Sequence, residues 1–148
     1  MNTAKKIFLA SILALFIVGC QSSSGPTKEQ LIKDLKSVYE LLSNGEHMAA
    51  LEHFKGPDDI PKERLAKDLK GLIKKREISE KGIEILDKNG KFGKLNEIFP
   101  DRSKRWMERN EITTPDDCYG LGYKNAEVAA YWTGSKFLLI RLDDVGKL

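Results

Sequence analysis

The last third of the chain carries the pattern that most restricts its fold. Three segments rich in aromatic and aliphatic residues follow one another, Cys118–Tyr123, Ala126–Trp132 and residues 136–142. They are separated only by Lys124-Asn125 and by residues 133–135, and such short connections are typical of hairpins. Neighbouring strands joined in this way form an antiparallel meander. Its apolar face needs a covering layer, which the rest of the chain has to supply.

The first half of the chain has a helical hydrophobic period instead. Residues 27–30 fit a capping box, in which the Thr27 hydroxyl accepts from the amide three residues on and Gln30 reaches back. Asn44-Gly45 ends this helix. The apolar residues behind the cap repeat at helical spacing: Leu31, Ile32, Leu35, Val38, Tyr39 and Leu42.

Two further helices follow in the pattern. We expect the second over residues 46–54, with Met48 and Leu51 directed inward and Gly56-Pro57 as its end. The third follows Pro61, and lysines cover one of its faces. Its opposite face is apolar: Leu65, Leu69, Leu72 and Ile73.

After Ser79 the period changes. Residues 82–86 alternate briefly, as in a strand, and residues 87–90 carry a turn signal. A helical segment over residues 101–109 and a loop over residues 113–117 precede the meander. The order predicts an α+β fold, in which N-terminal helices pack on a curved C-terminal antiparallel sheet within a single domain over residues 27–148.

This order of elements resembles the cystatin and nuclear-transport-factor-like folds. The resemblance lies in the topology alone and involves no sequence motif. Both folds host unrelated functions, so the likeness implies an architecture and names no activity.

The first residues have the layout of a secretory signal peptide. Lys5 and Lys6 precede an uninterrupted apolar run over residues 7–18, and small Gly19 follows. A membrane-spanning helix needs about 20 apolar residues, and this run is shorter. We therefore expect residues 1–19 to be a targeting segment that is removed.

The residues Ile17-Val18-Gly19-Cys20 resemble the lipobox of bacterial lipoproteins. The resemblance implies cleavage before Cys20 and a diacylglycerol on its sulfur, a covalent lipid in place of any cofactor. Two or three acyl chains make a durable anchor where one is marginal. Residues 20–26 then form the lipidated cysteine and a flexible tether.

The lipobox resemblance also bears on location. It implies a membrane-anchored protein that faces away from the cytoplasm. Gln21 is not the Asp that the enterobacterial sorting pattern uses for retention at the inner membrane. In a host with two membranes, we expect the protein to be anchored in the periplasmic leaflet of the outer membrane.

Composition excludes several classes of protein. The formal charge of +3 includes Lys5 and Lys6, so the mature chain is near +1 and lacks the basic excess of a nucleic-acid-binding domain. Cys118 is the only cysteine besides Cys20, and because the lipobox resemblance commits Cys20 to lipid, we expect no internal disulfide. We expect Cys118 to be a small buried hydrophobe.

The sequence predicts no metal site. His47 and His53 are six residues apart, about 240° around a helix, whereas paired metal ligands stand at i and i+4. Three acidic doublets invite a calcium site, but their spacing is irregular and Asp is favoured in turns for its own backbone hydrogen bonds. The doublets are Asp58-Asp59, Asp116-Asp117 and Asp143-Asp144.

One basic cluster is a candidate for binding phospholipid headgroups or an anionic envelope polymer. Its residues are Arg102, Lys104, Arg105 and Arg109. Trp106 lies among them, although an aromatic at helical spacing is typical of a core. The alternative is a solvated helix face.

Large aromatic residues concentrate in the predicted meander and form a candidate pocket for an apolar ligand: Tyr119, Tyr123, Tyr131 and Trp132. Alternation places Tyr119 and Tyr123 on one face of the sheet, with Tyr131 opposite to Trp132. The alternative is that these rings complete the core of a small domain. No catalytic motif is present in the sequence, so we assign no catalytic residue and favour an enzyme less than a binding protein.

The leading hypothesis is a non-catalytic, lipid-anchored protein of the cell envelope. It would bind another envelope protein through a sheet edge or through the surface of residues 102–109. The alternative is a small-ligand-binding or enzymatic domain with a pocket between its helices and the curved sheet.

Overall fold

A computed structural model describes residues 25–148. The predicted signal peptide and lipidation site, Cys20 included, lie outside the described residues. Within the described part, no helix combines the length and hydrophobicity needed to cross a membrane.

The described chain has a first half of helices and ends in a sheet. The helices are α1 Lys28–Ser43, α2 His47–Leu51, α3 Lys62–Leu69, α4 Gly71–Lys74, α5 Glu80–Asn89, α6 Leu95–Ile98 and α7 Ser103–Arg109. The strands are β1 Lys91–Lys94, β2 Cys118–Tyr123, β3 Ala126–Trp132 and β4 Phe137–Asp143. Short 3-10 turns cover Pro115–Asp117 and Val145–Lys147.

The four strands form one antiparallel sheet in the order β1-β2-β3-β4. The predicted bounds of β2 and β3 are confirmed, and β4 begins and ends one residue later than expected. Helices precede the meander, so the α+β prediction is confirmed as well. Short turns join β2 to β3 and β3 to β4, whereas α6, α7 and a 3-10 turn lie between β1 and β2.

Helix α1 begins at its predicted cap. The Thr27 hydroxyl accepts from the Gln30 amide at 3.1 Å. The Gln30 side chain does not reach back, because its Nε2 donates to Asp34 Oδ1 at 3.1 Å. The helix ends before Gly45, whose φ of +76° favours glycine.

The prediction of a strand over residues 82–86 is wrong. These residues lie in α5, which begins where the Ser79 hydroxyl accepts from the Gly82 amide at 3.0 Å. Ile83 and Leu86 are fully buried on one face of the helix. A five-residue alternation fits one turn of helix as well as a strand, and the Ser79 cap with packing on α1 decides between them.

Two expectations for the second and third helices are also wrong. Helix α2 stops at Leu51, and Met48 is 50% exposed where an inward side chain was expected. The third helical segment divides at Lys70 into α3 and α4, and Ile73 is 37% exposed. The division at Lys70 turns Ile73, a residue of the predicted apolar face, away from the core.

One face of the sheet, which we call the α1 face, packs against α1 and α5. Its core is closed: Leu35, Ile83, Leu121, Val128 and Phe137 are all fully buried. This is the main hydrophobic core of the described chain.

The opposite face, which we call the α7 face, packs against α6 and α7. Its smaller core joins Leu95 and Trp106 to Cys118 and Ala129. Gly120 points to this side, and a Cβ built there would stand 2.9 Å from the Ile98 Cβ. The glycine therefore lets the chain between α6 and α7 lie directly on β2.

Candidate functional site

An open cleft of about 440 Å³ lies beside β4. Its walls are α3 and the segment of residues 52–61 between α2 and α3, which we call the strap. Its floor includes Leu138 and Ile140 of β4. The apolar lining residues are Leu51, Phe54, Pro57, Ile60, Leu65, Leu69, Leu138 and Ile140.

The strap is fixed to β4 by backbone hydrogen bonds. Leu139 N donates to the His53 carbonyl at 2.7 Å, and Lys55 N donates to the Leu139 carbonyl at 2.8 Å. Phe54 thus makes a parallel bridge to Leu139. Gly56-Pro57 follows directly and prevents a helix, because proline excludes the helical conformation for the residue before it. The strap therefore crosses the edge of the sheet once and then leaves it to form the cleft wall.

A bulge in β4 shapes the floor. Ala129 pairs with Arg141 and Ala130 pairs with Leu139, so Ile140 is the extra residue. Ile140 packs on the α7 face next to Tyr131. A bulge bends its strand and redirects side chains, and here it places two aliphatic residues, Leu138 and Ile140, in the cleft.

Charges of both signs surround the apolar floor. Glu52, Asp58 and Asp68 line the cleft together with Lys55 and Lys62. Lys62 Nζ lies 3.9 Å from Glu52 Oε1, and both side chains are well exposed, so this pair contributes little to stability. The cleft can bury an apolar group and offer hydrogen bonds to a polar neighbour.

A buried carboxylate closes the edge of β4 next to the strap. Asp34 is 8% exposed, and its Oδ2 accepts from the Phe137 amide at 2.8 Å. Asp34 and the strap form hydrogen bonds with backbone groups on the edge of β4 that faces away from β3. Without these bonds, the same groups could pair with another strand. A sheet edge was one of the predicted contacts, and at Phe137 and Leu139 this edge is already paired.

His53 lies in the strap and is partly buried. Its Nδ1 is buried without a hydrogen-bond partner among the described residues. Burial lowers the pKa of His53 below its ordinary value of 6.5, and the charge of Lys136 lowers it further. His47 is exposed, and its Nδ1 lies 2.8 Å from the Gly45 carbonyl. The two imidazoles therefore have separate local roles.

The Asp143-Asp144 doublet meets Glu77, with carboxylate oxygens within 4.8 Å of one another. These groups already have partners in the chain. Asp144 N donates to Glu77 Oε2 at 2.7 Å, Arg141 pairs with Asp143 at 2.5 Å, and Lys147 pairs with Asp144. Burial, the largest single influence, raises the pKa of Asp143, but the hydrogen bond and charge of Arg141 together with Glu77 and Lys147 outweigh it, so the pKa is lowered. The cluster joins the C-terminal turn to the segment before α5.

The structure divides the aromatic residues predicted as a pocket. Tyr119, Tyr123 and Trp132 pack on the α1 face, whereas Tyr131 packs on the α7 face. Tyr119 stacks on Phe92 with ring centroids 5.5 Å apart, and Trp132 lies 4.9 Å from Phe137. Tyr131 pairs in register with Leu138 of the cleft floor, but none of the four predicted residues lines the cleft.

The predicted anionic-surface residues lie on or beside α7. Arg102 pairs with Glu127, and Lys104 Nζ lies 3.9 Å from Glu108 Oε1. Arg105 and Arg109 are exposed. Trp106 is buried between this helix and the sheet, in contact with Phe99, and does not belong to the surface.

Cys118 is fully buried at the start of β2. Burial raises the pKa of its thiol to about 11, because the thiolate would lose its hydration, and Asp117 adds to the shift. A thiol in this state is a poor nucleophile. The buried position agrees with the small-hydrophobe role predicted for it.

Sequence reasoning missed the cleft. Leu65 and Leu69 were assigned to a helix face, and Phe54 to the second helix. The Gly56-Pro57 break marked the start of the strap, but its bridge to Leu139 is a contact between distant segments. No local pattern indicates such a contact.

Comparisons of this chain with protein-family models, with curated proteins and with solved structures found no match.

Proposed function

We propose that this chain is a lipid-anchored protein of the bacterial cell envelope, whose folded domain binds another envelope protein at the cleft beside β4. The order of basic start, apolar run and Ile17-Val18-Gly19-Cys20 carries the anchoring part of the proposal. The acyl groups on Cys20 are the covalent modification it requires. The binding step involves no catalysis and no further cofactor.

The length of the tether supports a role close to a membrane. Helix α1 begins at Lys28, and seven residues separate it from Cys20. A fully extended chain covers at most about 3.5 Å per residue, which restricts the domain to a shallow layer above the lipid. A partner reached from there is itself in or on the envelope. With Gln21 after the lipidated position, the outer membrane is the proposed site in a host with two membranes.

The cleft supports binding through side chains. Its volume of about 440 Å³ accommodates a few apolar side chains from a partner, and its mixed charges provide the polar rim of a protein contact. Because Asp34 and the strap occupy the edge of β4, strand addition there is disfavoured. A partner segment would insert apolar side chains between the strap and α3.

The anchor can be tested by labelling. Cells that express the chain receive a fatty acid with a clickable group, and the purified protein is examined by gel and mass spectrometry. We expect label on the wild-type chain and none on Cys20→Ala, with the mature protein starting at residue 20. Labelled Cys20→Ala protein, or an unprocessed wild-type chain, would contradict the anchor.

The cleft can be tested by crosslinking in intact cells. A photo-reactive amino acid replaces Leu138 in the cleft and, as a control, exposed Asn89 at the end of α5. We expect a discrete adduct from position 138 in the anchored protein and none from position 89. Equal capture at both positions would show that the cleft is not the contact.

The alternative candidate is a small apolar ligand bound in the same cleft. The volume favours it, because ligand sites commonly measure about 300–1,000 Å³. Its signature is a rise in melting temperature, since a ligand at about 100 times its Kd adds about 2.7 kcal/mol to the free energy of unfolding. A library of apolar metabolites would be screened against wild type and Ile140→Trp, in which the cleft is filled. A rise in wild type alone would favour the small ligand.

A further inference from the structure

The charge of the domain is concentrated in one segment. Residues 62–76, which include α3 and α4, contain seven Lys or Arg and two Asp or Glu, a net charge of +5. The other 109 described residues contain sixteen Lys or Arg and twenty Asp or Glu, a net charge of −4. The net charge of the described residues is therefore close to zero, although residues 62–76 are strongly positive and the remainder is negative. A strongly positive segment of this kind attracts an anionic surface.

The cations of this segment are exposed and have few internal partners. Lys62 pairs loosely with Glu52. No described carboxylate lies within ion-pair distance of the remaining six: Arg64, Lys67, Lys70, Lys74, Lys75 and Arg76. Their charges are thus available to an external anion. The cations on and beside α7 differ, since Arg102 and Lys104 already have acidic partners.

Exposed apolar side chains lie among these lysines. Two shallow depressions adjoin each other and share His47 and Lys70. The first also contains Met48 and Lys67, and the second contains Ile73 and Lys74. Glu46 and Glu63 line the first depression too.

Met48 and Ile73 are the large apolar residues that the described chain leaves exposed. Both belong to these depressions, next to the unpaired lysines. We call this surface, formed by Met48, Lys67, Lys70, Ile73 and Lys74, the basic face. Apolar groups framed by lysines are typical of elements that lie on a membrane surface.

We propose that the basic face docks on an anionic phospholipid bilayer. Met48 and Ile73 enter the boundary between headgroups and acyl chains, while Lys67, Lys70 and Lys74 contact lipid phosphates. Each lysine near an anionic leaflet adds a favourable electrostatic contribution that salt screens. The proposal rests on the anchor at Cys20, which keeps the domain close enough for weak surface contacts to operate.

The tether is long enough for this arrangement. Seven residues between Cys20 and Lys28 extend to about 25 Å. Helix α1, with sixteen residues, is about 24 Å long, and its C-terminal residues Leu42 and Ser43 line the second depression. Anchor and basic face can therefore contact the same bilayer.

Docking has a consequence for the cleft. Helix α3 separates the two sites, because its residues Leu65 and Asp68 line the cleft while its residue Lys67 belongs to the basic face. A docked domain would hold the cleft beside the membrane surface. The orientation of the cleft toward a partner would then be set by the lipid and not by the tether alone.

The test uses the lipidated protein reconstituted into vesicles. Ile73→Cys is labelled with a fluorophore, while buried Cys118, with a pKa of about 11, stays unlabelled. The vesicles contain phosphatidylcholine alone or with about 30% phosphatidylglycerol, each with a lipid-bound quencher. We expect quenching about threefold stronger in anionic vesicles, and a return to the neutral level at high salt.

Two charge-reversal variants complete the design. Lys67→Glu, Lys70→Glu and Lys74→Glu together should abolish the extra quenching, whereas Lys104→Glu, Arg105→Glu and Arg109→Glu together should leave it unchanged. All six residues are exposed, and circular dichroism verifies the fold. The proposed docking would be contradicted if the quenching did not depend on lipid charge. It would also be contradicted if both triple variants lost the extra quenching equally. Failure of the protein to float with neutral vesicles would overturn the anchor instead, while the quenching in anionic vesicles still decides the docking face.

Discussion

The two faces of the sheet differ in how completely they are covered. The α1 face is closed by α1 and α5, and its central side chains are fully buried. On the α7 face, α6 and α7 cover β1 to β3, and near β4 the aliphatic side chains open into the cleft. Burial stabilises the fold, whereas incomplete burial leaves a surface that can bind. We therefore expect the α1 face to determine stability and the α7 face near β4 to determine recognition.

The largest effect is expected from Leu35→Ala in the α1 face. Leu35 is fully buried, so its loss removes apolar contacts and leaves a cavity. The free energy of unfolding should fall by about 2–5 kcal/mol. Urea denaturation followed by circular dichroism measures it. A loss below that of Ile140→Ala would reverse the comparison between the faces.

Asp34→Ala should destabilise the domain by about 1–3 kcal/mol. The change removes the acceptor of the buried Phe137 amide, where α1 meets the edge of β4. Asp34→Asn is the matched control, because its amide oxygen can still accept from that amide. Denaturant midpoints that are equal for both variants would show that the hydrogen bond is not the source of the loss.

Gly120→Ala tests the close contact on the α7 face. The added Cβ would stand 2.9 Å from the Ile98 Cβ and 3.0 Å from a Phe99 ring carbon. We expect a loss of about 1–3 kcal/mol from overpacking, read from the denaturant midpoint. Gly134→Ala is a control in open space, although its φ of +101° adds backbone strain. Unchanged stability of Gly120→Ala would mean that α6 moves freely over β2.

Ile140→Ala should cost only about 1 kcal/mol, because Ile140 is half-buried at the cleft floor. Crosslinking from position 138 to a partner should nevertheless fall strongly in this variant. Thermal unfolding and crosslink yield, measured in parallel, separate the two effects. A large stability loss with unchanged crosslinking would place Ile140 in the core and not in the binding site.

The smallest effect concerns pH. The pKa of His53 is lowered in the folded state, first by burial and then by Lys136, whereas Asp34 and Glu52 act in the opposite direction. Above pH 6.5 both states hold a neutral imidazole. Below it the unfolded chain binds a proton that the folded chain does not, so stability falls as the pH drops toward the folded pKa. His53→Asn should flatten this slope between pH 7.5 and 5.5 in urea denaturation, and an unchanged slope would contradict this expectation.

Local patterns predicted the meander well. The bounds of β2 and β3 follow from alternation and from the residues at the turns, and each strand pairs with its sequence neighbour, so no long-range contact is needed. The Thr27 cap and the Asn44-Gly45 end of α1 are local signals of the same kind. Such signals depend only on the φ/ψ preferences and hydrogen bonds of adjacent residues.

Predictions failed where distant packing decides between two local options. Residues 82–86 alternate like a strand, yet Gly82 lies against the backbone of the C-terminal turn: a Cβ there would stand 1.9 Å from the Val145 carbonyl oxygen. Only a helix places the glycine at that contact and buries Ile83 on α1. Strand β1 was not predicted, because a segment of four residues carries little local pattern and this one is a strand through its pairing with the distant β2.

The sequence by itself determined the α+β class, the meander and the α1 cap, because each depends on neighbouring residues. The lipobox resemblance and the expectations for location that follow from it also come from sequence alone. Only the tertiary structure decided that Phe54 joins Leu139, that the bulge at Ile140 places side chains in a cleft, and that Met48 and Ile73 lie in adjoining depressions among lysines. These features bring together side chains that are far apart in the chain, and periodicity within one segment carries no information about which segment it will contact.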